Sequence, residues 1–482
     1  MSGSSDIIHR NVVVDLDGTL SHVDALHEDF FVCLRQNPLR ETANAVFGSG
    51  SKAAMKRSLA KMAGRDTGLA PLHAELVSHL SMMKKTGNSL HLVTASDQYH
   101  ADAVGKATDL FDSVTGSDGA RNLKGPEKAS YLKERFPDGF IYAGDSAVDI
   151  PVWMASSGAI LVGGAKRHAD KLKQHGVPIV DIFGGGNGAI KDWLRLFRLH
   201  QWVKNVLIFV PLLLGQLYAQ PAAVSAALMA FLFWGIAGSG SYIINDIFDV
   251  EADRKHRTKC NRPIASGKIG VSNAFIGAAV MILAGVAGAM WLSFNFGLAL
   301  LWYLVITLSY SFKLKTVPLL DVGVIALLFT TRILAGSLLL ALPHSPWLTS
   351  FAMLLFLSLA LAKRHTELIT ADPKKGDLIP GRGYRRSDSP LTLALGLGAA
   401  MSSIIVMLLF ITLEASARGV YAAPEALFVA PIVLLFWFMR IWLLSNRGEL
   451  DDDPVIFALK DPVSLGLAGV LLAGFVLSVV SF

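Results

Sequence analysis

The chain has 482 residues, 52% of them hydrophobic, with a mean hydropathy of +0.47 and a formal net charge of +6. That apolar content excludes an ordinary soluble or disordered protein and points to membrane segments. Cys33 and Cys260, one in each half, exclude a disulfide framework. The positive charge is no argument for nucleic acid, because in the second half it sits in short loops beside apolar runs.

Residues 1–183 carry charges throughout and read as a soluble α/β domain, opened by a polar segment without a signal-peptide core. The buried-type strand Asn11–Val14 runs into Asp15-Leu16-Asp17-Gly18-Thr19, an acidic strand end of the kind found at the active edge of an open sheet. Leu92-Val93 then leads to Thr94, Gly125-Pro126-Glu127 precedes Lys128, and Ile141–Ala143 leads to Gly144-Asp145 and on to Asp149. A carboxylate nucleophile would split a hard phosphoryl displacement into two easier steps, and it needs a cation to limit anionic repulsion.

These four motifs, in this order, resemble those of the haloacid-dehalogenase superfamily of phosphatases, with its Rossmann-like fold. The resemblance implies Asp15 as nucleophile, Asp17 as general acid and base, Thr94 as phosphoryl holder and Lys128 as charge neutraliser. It also implies Mg²⁺ held by Asp15, Asp145, the Asp17 carbonyl and Asp149. Residues 21–90, with Lys52, Lys56, Arg57, Lys61 and Arg65, read as a small helical cap that selects substrate. A glycine-rich linker is expected over 184–192, where Gly184-Gly185-Gly186-Asn187-Gly188 permits hinging but little reach.

Residues 193–482 read as an all-α membrane bundle of about nine helices, near 206–220, 223–244, 271–293, 297–311, 319–341, 347–363, 391–413, 424–443 and 464–482. Alternate loops carry the basic residues: Arg254 to Lys268, Lys313 with Lys315, Lys363 to Arg386 including Lys374 and Lys375, then Arg440, Arg447 and Lys460. The opposite loops offer Arg418. The positive-inside rule then places those loops and the soluble domain on the cytosolic side of a bacterial-type inner membrane. Trp193 and Trp202 are expected to be interfacial anchors.

At the end of the second apolar run stands Asn245-Asp246-Ile247-Phe248-Asp249-Val250-Glu251-Ala252-Asp253. On a helix, positions 246, 249 and 253 share one face, and hard oxygen ligands there suit Mg²⁺ with phosphate oxygens completing its shell. This stretch resembles the first aspartate-rich motif of the UbiA-type intramembrane prenyltransferases, over about residues 190–482. Arg198–Asn205 before the first span, Lys363-Arg364-His365-Thr366-Glu367-Leu368 after the sixth, and Ala458–Asp461 before the ninth are similar to the decaprenyl-phosphate phosphoribosyltransferase branch. The branch resemblance implies transfer of 5-phosphoribose from phosphoribosyl diphosphate to a polyprenyl phosphate. Asp246, Asp249 and Asp253 would hold Mg²⁺, with Asn245 positioning the diphosphate or the aspartates.

Lys204, Asn205, Arg254, Arg262, Lys313, Lys315, Lys363, Arg364 and Glu367 are the expected substrate-binding set in loops and span ends. Tyr310 with Lys313 or Lys315 resembles the family's tyrosine–lysine motif. Asp321 stands where many members have a second acidic motif, but without an acidic partner four residues on. That departure disfavours a two-cluster site that ionises a prenyl diphosphate. Arg332, in the middle of a span, needs a partner or a polar cavity. The expected protein is a bifunctional membrane enzyme that makes a phosphoribosyl lipid and removes its 5-phosphate. An aromatic prenyltransferase using a polyprenyl diphosphate is the alternative enzyme. A transporter is the alternative of another class, and it would need charges deep in several spans and inverted repeats.

Overall fold

The computed structural model describes residues 10–184, 188–372, 376–379, 382–417, 419, 421–450, 457–458 and 460–479. The polar start of the chain before Arg10, linker residues Gly185, Gly186 and Asn187, and Lys374, Lys375, Arg418 and Leu459 lie outside them. The chain forms two compact units, Met1–Phe197 with Tyr242–Ala279, and Arg198–Ser241 with Val280–Phe482.

In the first unit, six parallel strands form one sheet: β1 (Asn11–Val14), β2 (Ser89–Asp97), β3 (Ser113–Ser117), β4 (Phe140–Gly144), β5 (Gly158–Val162) and β6 (Ile179–Phe183). Their spatial order is β3-β2-β1-β4-β5-β6. β-Branched Val12, Val13 and Val14 are fully buried between the two faces, as a central parallel strand requires. The strand order reverses between β1 and β4, and ligands of such sheets bind beyond the carboxyl ends at that switch point. Asp15 follows β1 there and Asp145 follows β4.

Between β1 and β2 come α1 (Ala25–Gln36), α2 (Leu39–Phe47), α3 (Lys52–Ala63) and α4 (Ala74–Lys85). Asp24 caps α1 by accepting from the His27 amide, and Ser51 caps α3 by accepting from the Ala54 amide. The first three helices pack together through Val32, Cys33, Ala45, Leu59 and Ala63. α4 instead buries Leu76 and Leu80 against the sheet, so the cap ends before it. The helix Ile190–Phe197 begins inside the stretch read as linker.

Among the described residues, eight helices are long and apolar enough to cross a membrane, not nine. They are α5 (Pro221–Phe248), α6 (Val271–Leu292), α7 (Phe294–Phe312), α8 (Leu320–Leu339), α9 (Pro346–Thr370), α10 (Ser389–Leu409), α11 (Val429–Arg447) and α12 (Pro462–Val479). The expected first span is instead a 3₁₀ run, Leu199–Phe209, followed by the short helix Val210–Leu214. Pro211 lacks an amide donor and Gly215 ends the run, so this apolar helix stays below the ~20 residues a span needs. Lys363, Arg364 and Arg440, expected in loops, lie inside α9 and α11. Arg440 there pairs with both oxygens of Asp461, at 2.8 and 3.0 Å.

Within the second unit one cluster gathers Trp234, Phe296 and Tyr303, and another gathers Phe356, Phe438 and Trp442. Close approach depends on small residues: a methyl group at Gly396 would come within 2.1 Å of the Trp442 ring. Trp202 is half-buried, and its indole donates to Ser239 Oγ at 2.9 Å.

Candidate active sites

At the switch point of the sheet, Lys128 Nζ is buried 2.9 Å from Asp15 Oδ1 and donates to the Tyr142 hydroxyl at 2.9 Å. Tyr142 in turn donates to Asp149 Oδ1 at 2.8 Å, while the Asp145 and Ser146 amides donate to Asp149 Oδ2. Asp15, Asp145 and Asp149 bring one oxygen each within 4.8 Å of one another. Asp17 accepts from the Ser96 hydroxyl and, at 3.0 Å, from the Ala25 amide at the start of α1. Thr94 is fully buried, and its hydroxyl accepts from the Ser96 amide at 3.1 Å. Asp15, Asp17, Thr94, Ser96, Lys128, Asp145 and Asp149 line a cavity of about 350 Å³, with Lys52 and Lys56 of α3 on its cap side.

Burial pushes Asp17 up to about 7, helped by repulsion from Asp24, while the Ser96 and Ala25 bonds oppose it. Asp145 rises to about 7 because it is buried beside Asp15 and Asp149. Three converging carboxylate oxygens are the donor set a hard divalent cation takes, so the residues present fit Mg²⁺. Of the cap's basic residues, Arg65 does not face the cavity. It is buried against Glu28 and against Asp29 at 3.0 Å. The sequence gives Tyr142 and Ser96 no role, since nothing local marks a hydrogen-bond partner on a neighbouring strand.

The aspartate-rich stretch, also in the first unit, straddles the end of α5. Asp246 lies in α5, Asp249 at its end, and Asp253 in the short helix Val250–Lys255. The i→i−4 bonds from Asp249 to Asn245 and from Asp253 to Asp249 carry the helical phase across the break. One face therefore results: the Arg262 Nη1 atom bridges Asp246 Oδ1 at 3.1 Å and Asp253 Oδ2 at 2.6 Å. Asn245 donates to Asp249 Oδ2 at 3.1 Å. Burial raises the Asp253 pKa, with Arg262 pulling it back. A guanidinium seated between Asp246 and Asp253 marks a place that favours positive charge, while Asp249 turns to Arg35; among the described residues the three aspartates do not converge their oxygens as Asp15, Asp145 and Asp149 do. Arg254 points elsewhere, pairing with both Glu28 oxygens at 2.6 and 3.0 Å.

In the second unit, Asp321 is fully buried at the start of α8, where it accepts from the Tyr384 hydroxyl at 2.6 Å and lies 2.9 Å from Arg364 Nη2. Arg364 also pairs with Glu367. In place of an exposed phosphate-binding cation, the structure gives Arg364 as the buried counter-ion of Asp321. Arg364→Ala should therefore cost about 3–5 kcal/mol of stability, because it strands a buried charge. A thermal melt unchanged from wild type would contradict that assignment.

Arg332 finds its partners on neighbouring segments. It donates to Asn205 Oδ1 at 3.0 Å and Tyr303 Oη at 2.9 Å, and its guanidinium lies 4.7 Å from the Tyr303 ring centroid. Lys204 lies over the Phe329 ring at 5.6 Å. Tyr310 accepts from Arg382 at 2.8 Å, so a loop arginine meets the tyrosine of the tyrosine–lysine motif. Lys313 is exposed, while Lys315 and Lys363 are half-buried.

Residues 208–460 match the model of the UbiA prenyltransferase family. The chain belongs to that family. It is an integral membrane protein of the prenyltransferase class. A Sinorhizobium fredii protein called y4nM is 44% identical over 470 residues, covering 97% of this chain and 90% of that one. The nodulation protein NoeC of Azorhizobium caulinodans is 30% identical over 273 residues, 56% of this chain and 87% of its own length. The decaprenyl-phosphate phosphoribosyltransferase of Mycobacterium tuberculosis is 34% identical over 183 residues, 37% of this chain and 61% of that enzyme.

Proposed function

We propose that the membrane enzyme transfers 5-phosphoribose from phosphoribosyl diphosphate to a polyprenyl phosphate, and that the sheet domain, a haloacid-dehalogenase-like phosphatase, removes the 5-phosphate from the product. The observation that carries the first half is the closure of Asp321 by Tyr384 and Arg364. Its charge is already neutralised inside the fold, which speaks against a second acidic cluster ionising a prenyl diphosphate. The relative named for phosphoribosyl transfer supports the same donor.

In the transfer step the ribose C1–O bond to diphosphate breaks, diphosphate leaves with the electron pair, and a phosphate oxygen of the lipid bonds C1. Mg²⁺, held by Asp246, Asp249 and Asp253 in one site and by Asp15, Asp145 and Asp149 in the other, would neutralise the phosphate charge that builds up. Arg262 holds two of the transferase carboxylates in register. In the second step Asp15 attacks the 5-phosphorus while Lys128 balances its charge. Asp17 gives its proton to the departing 5-oxygen, then takes one from the water that releases inorganic phosphate. An Asp17 raised to about 7 by burial can hold that proton near neutrality.

We place the basic loops and the sheet domain on the cytosolic side, where the phosphorylated sugar donor of the first step is met. The bond between Arg254, in the loop after α5, and Glu28 of the cap supports their lying on one side of the membrane. Mass spectrometry of lipids formed by the purified chain with Mg²⁺, polyprenyl phosphate and phosphoribosyl diphosphate tests the reading. A phosphoribosyl lipid or its 5-dephosphorylated form is expected. A folded protein that makes neither, yet prenylates an aromatic acceptor from a polyprenyl diphosphate, would refute it.

A further inference from the structure

Helix α1 of the cap touches both carboxylate sites of the first unit. At its N-terminal end the Ala25 amide holds Asp17. At its C-terminal end Arg35 Nη1 lies 3.2 Å from Asp249 Oδ1 and donates to the Phe248 carbonyl. Ala25 and Arg35 stand ten residues apart along the helix, roughly 15 Å. Its middle is clamped: Glu28 takes both Arg254 and Arg65, and Asp29 takes Arg65 together with His100 at 2.5 Å. Phe31 packs between the Phe248 and Phe275 rings, at centroid distances of 6.3 and 5.2 Å.

The two kinds of contact differ in character. The Glu28, Arg65 and Arg254 side chains are at most 7% exposed, whereas Arg35 is 33% exposed. A buried, multiply bonded cluster fixes the helix; an exposed pair is weak and exchangeable. Arg35 uses only Nη1 for these contacts among the described residues, and a guanidinium has five donors in a planar fork. The outer edge suits phosphate oxygens, which arginine binds bidentately.

We propose that Arg35, supplied by the phosphatase-like domain, is a diphosphate-binding side chain of the transferase's aspartate-rich site, so the cap completes that site. The inference rests on the transferase reading above for the identity of the organic donor, but not for the anion. When a cation takes Asp249, Arg35 exchanges the carboxylate for a phosphate oxygen of the bound diphosphate group. The buried clamp keeps the helix in place through the exchange.

The test uses the full chain in nanodiscs, with inorganic diphosphate and Mg²⁺ as the calorimetric probe. Arg35→Ala should weaken the diphosphate affinity about tenfold and Arg35→Lys by less, while hydrolysis of p-nitrophenyl phosphate stays within twofold of wild type. In lipid synthesis the same variant should raise KM for phosphoribosyl diphosphate about tenfold and change kcat little. A merely structural role would instead lower both activities and the melting temperature together. Equal diphosphate affinity in wild type and Arg35→Ala, or no diphosphate binding by wild type, overturns the proposal. Diphosphate binding that depends on Arg35, without any sugar lipid formed, keeps this inference and removes the phosphoribosyl donor.

Discussion

Asp15→Asn is expected to lower phosphate release from the phosphoribosyl lipid by about 10⁴-fold or more, the scale on which losing a nucleophile acts. Formation of the lipid should continue at the wild-type rate, so the 5-phosphorylated product accumulates. The substitution keeps the size of the side chain and its place 2.9 Å from Lys128, so the loss is chemical rather than structural. It also removes one of the negative charges that crowd Asp145 and Asp149 and help to raise their pKa values. Against that gain, Lys128 loses a buried partner, so the two effects oppose and the melt should stay close to wild type. The check is the ratio of phosphorylated to dephosphorylated lipid by mass spectrometry, beside a thermal melt. A variant that still dephosphorylates the lipid within tenfold of wild type would remove Asp15 as nucleophile.

Features that depend on neighbours in the chain were legible in the sequence. Three valines ending in Asp15 announce a buried parallel strand with an acid at its carboxyl end, and the sheet order puts that end at the switch point. The spacing of Asp246, Asp249 and Asp253 announces one face, which Arg262 then joins. Long apolar runs announce spans, but Leu199–Leu214 shows that hydropathy alone does not secure a continuous α-helix where Pro211 removes a donor. Partners remote in sequence were not legible. Tyr384 reaches Asp321 across 63 residues, and Arg254 reaches Glu28 across 226. No local period or motif encodes such a pairing. For the same reason the sequence alone presents Arg364 as a phosphate ligand and gives no sign of Arg35.

Asp253→Asn is expected to reduce phosphoribosyl transfer by about 10²–10³-fold, the magnitude seen when one preorganised charge at a developing anion is lost. The side chain is nearly buried, its pKa is raised by that burial, and Arg262 offsets the rise. The neutral amide loses the charge that would draw a divalent cation while keeping the shape of the face. Folding should suffer less than from loss of a fully buried pair, because Arg262 is 27% exposed and retains Asp246 at 3.1 Å. The phenotype is thus a fall in kcat, with p-nitrophenyl phosphate hydrolysis and the melting temperature close to wild type. Asp321→Asn should behave in the opposite sense. It uncouples a buried pair with Arg364, lowering stability by about 3–5 kcal/mol, while the folded fraction keeps its turnover. Measuring kcat and melting temperature for both variants separates an acid that works on substrate charge from one that neutralises the fold. If Asp253→Asn transfers within threefold of wild type while Asp321→Asn loses turnover in a folded protein, the chemistry belongs to the second acid and the diphosphate site has been assigned to the wrong helix.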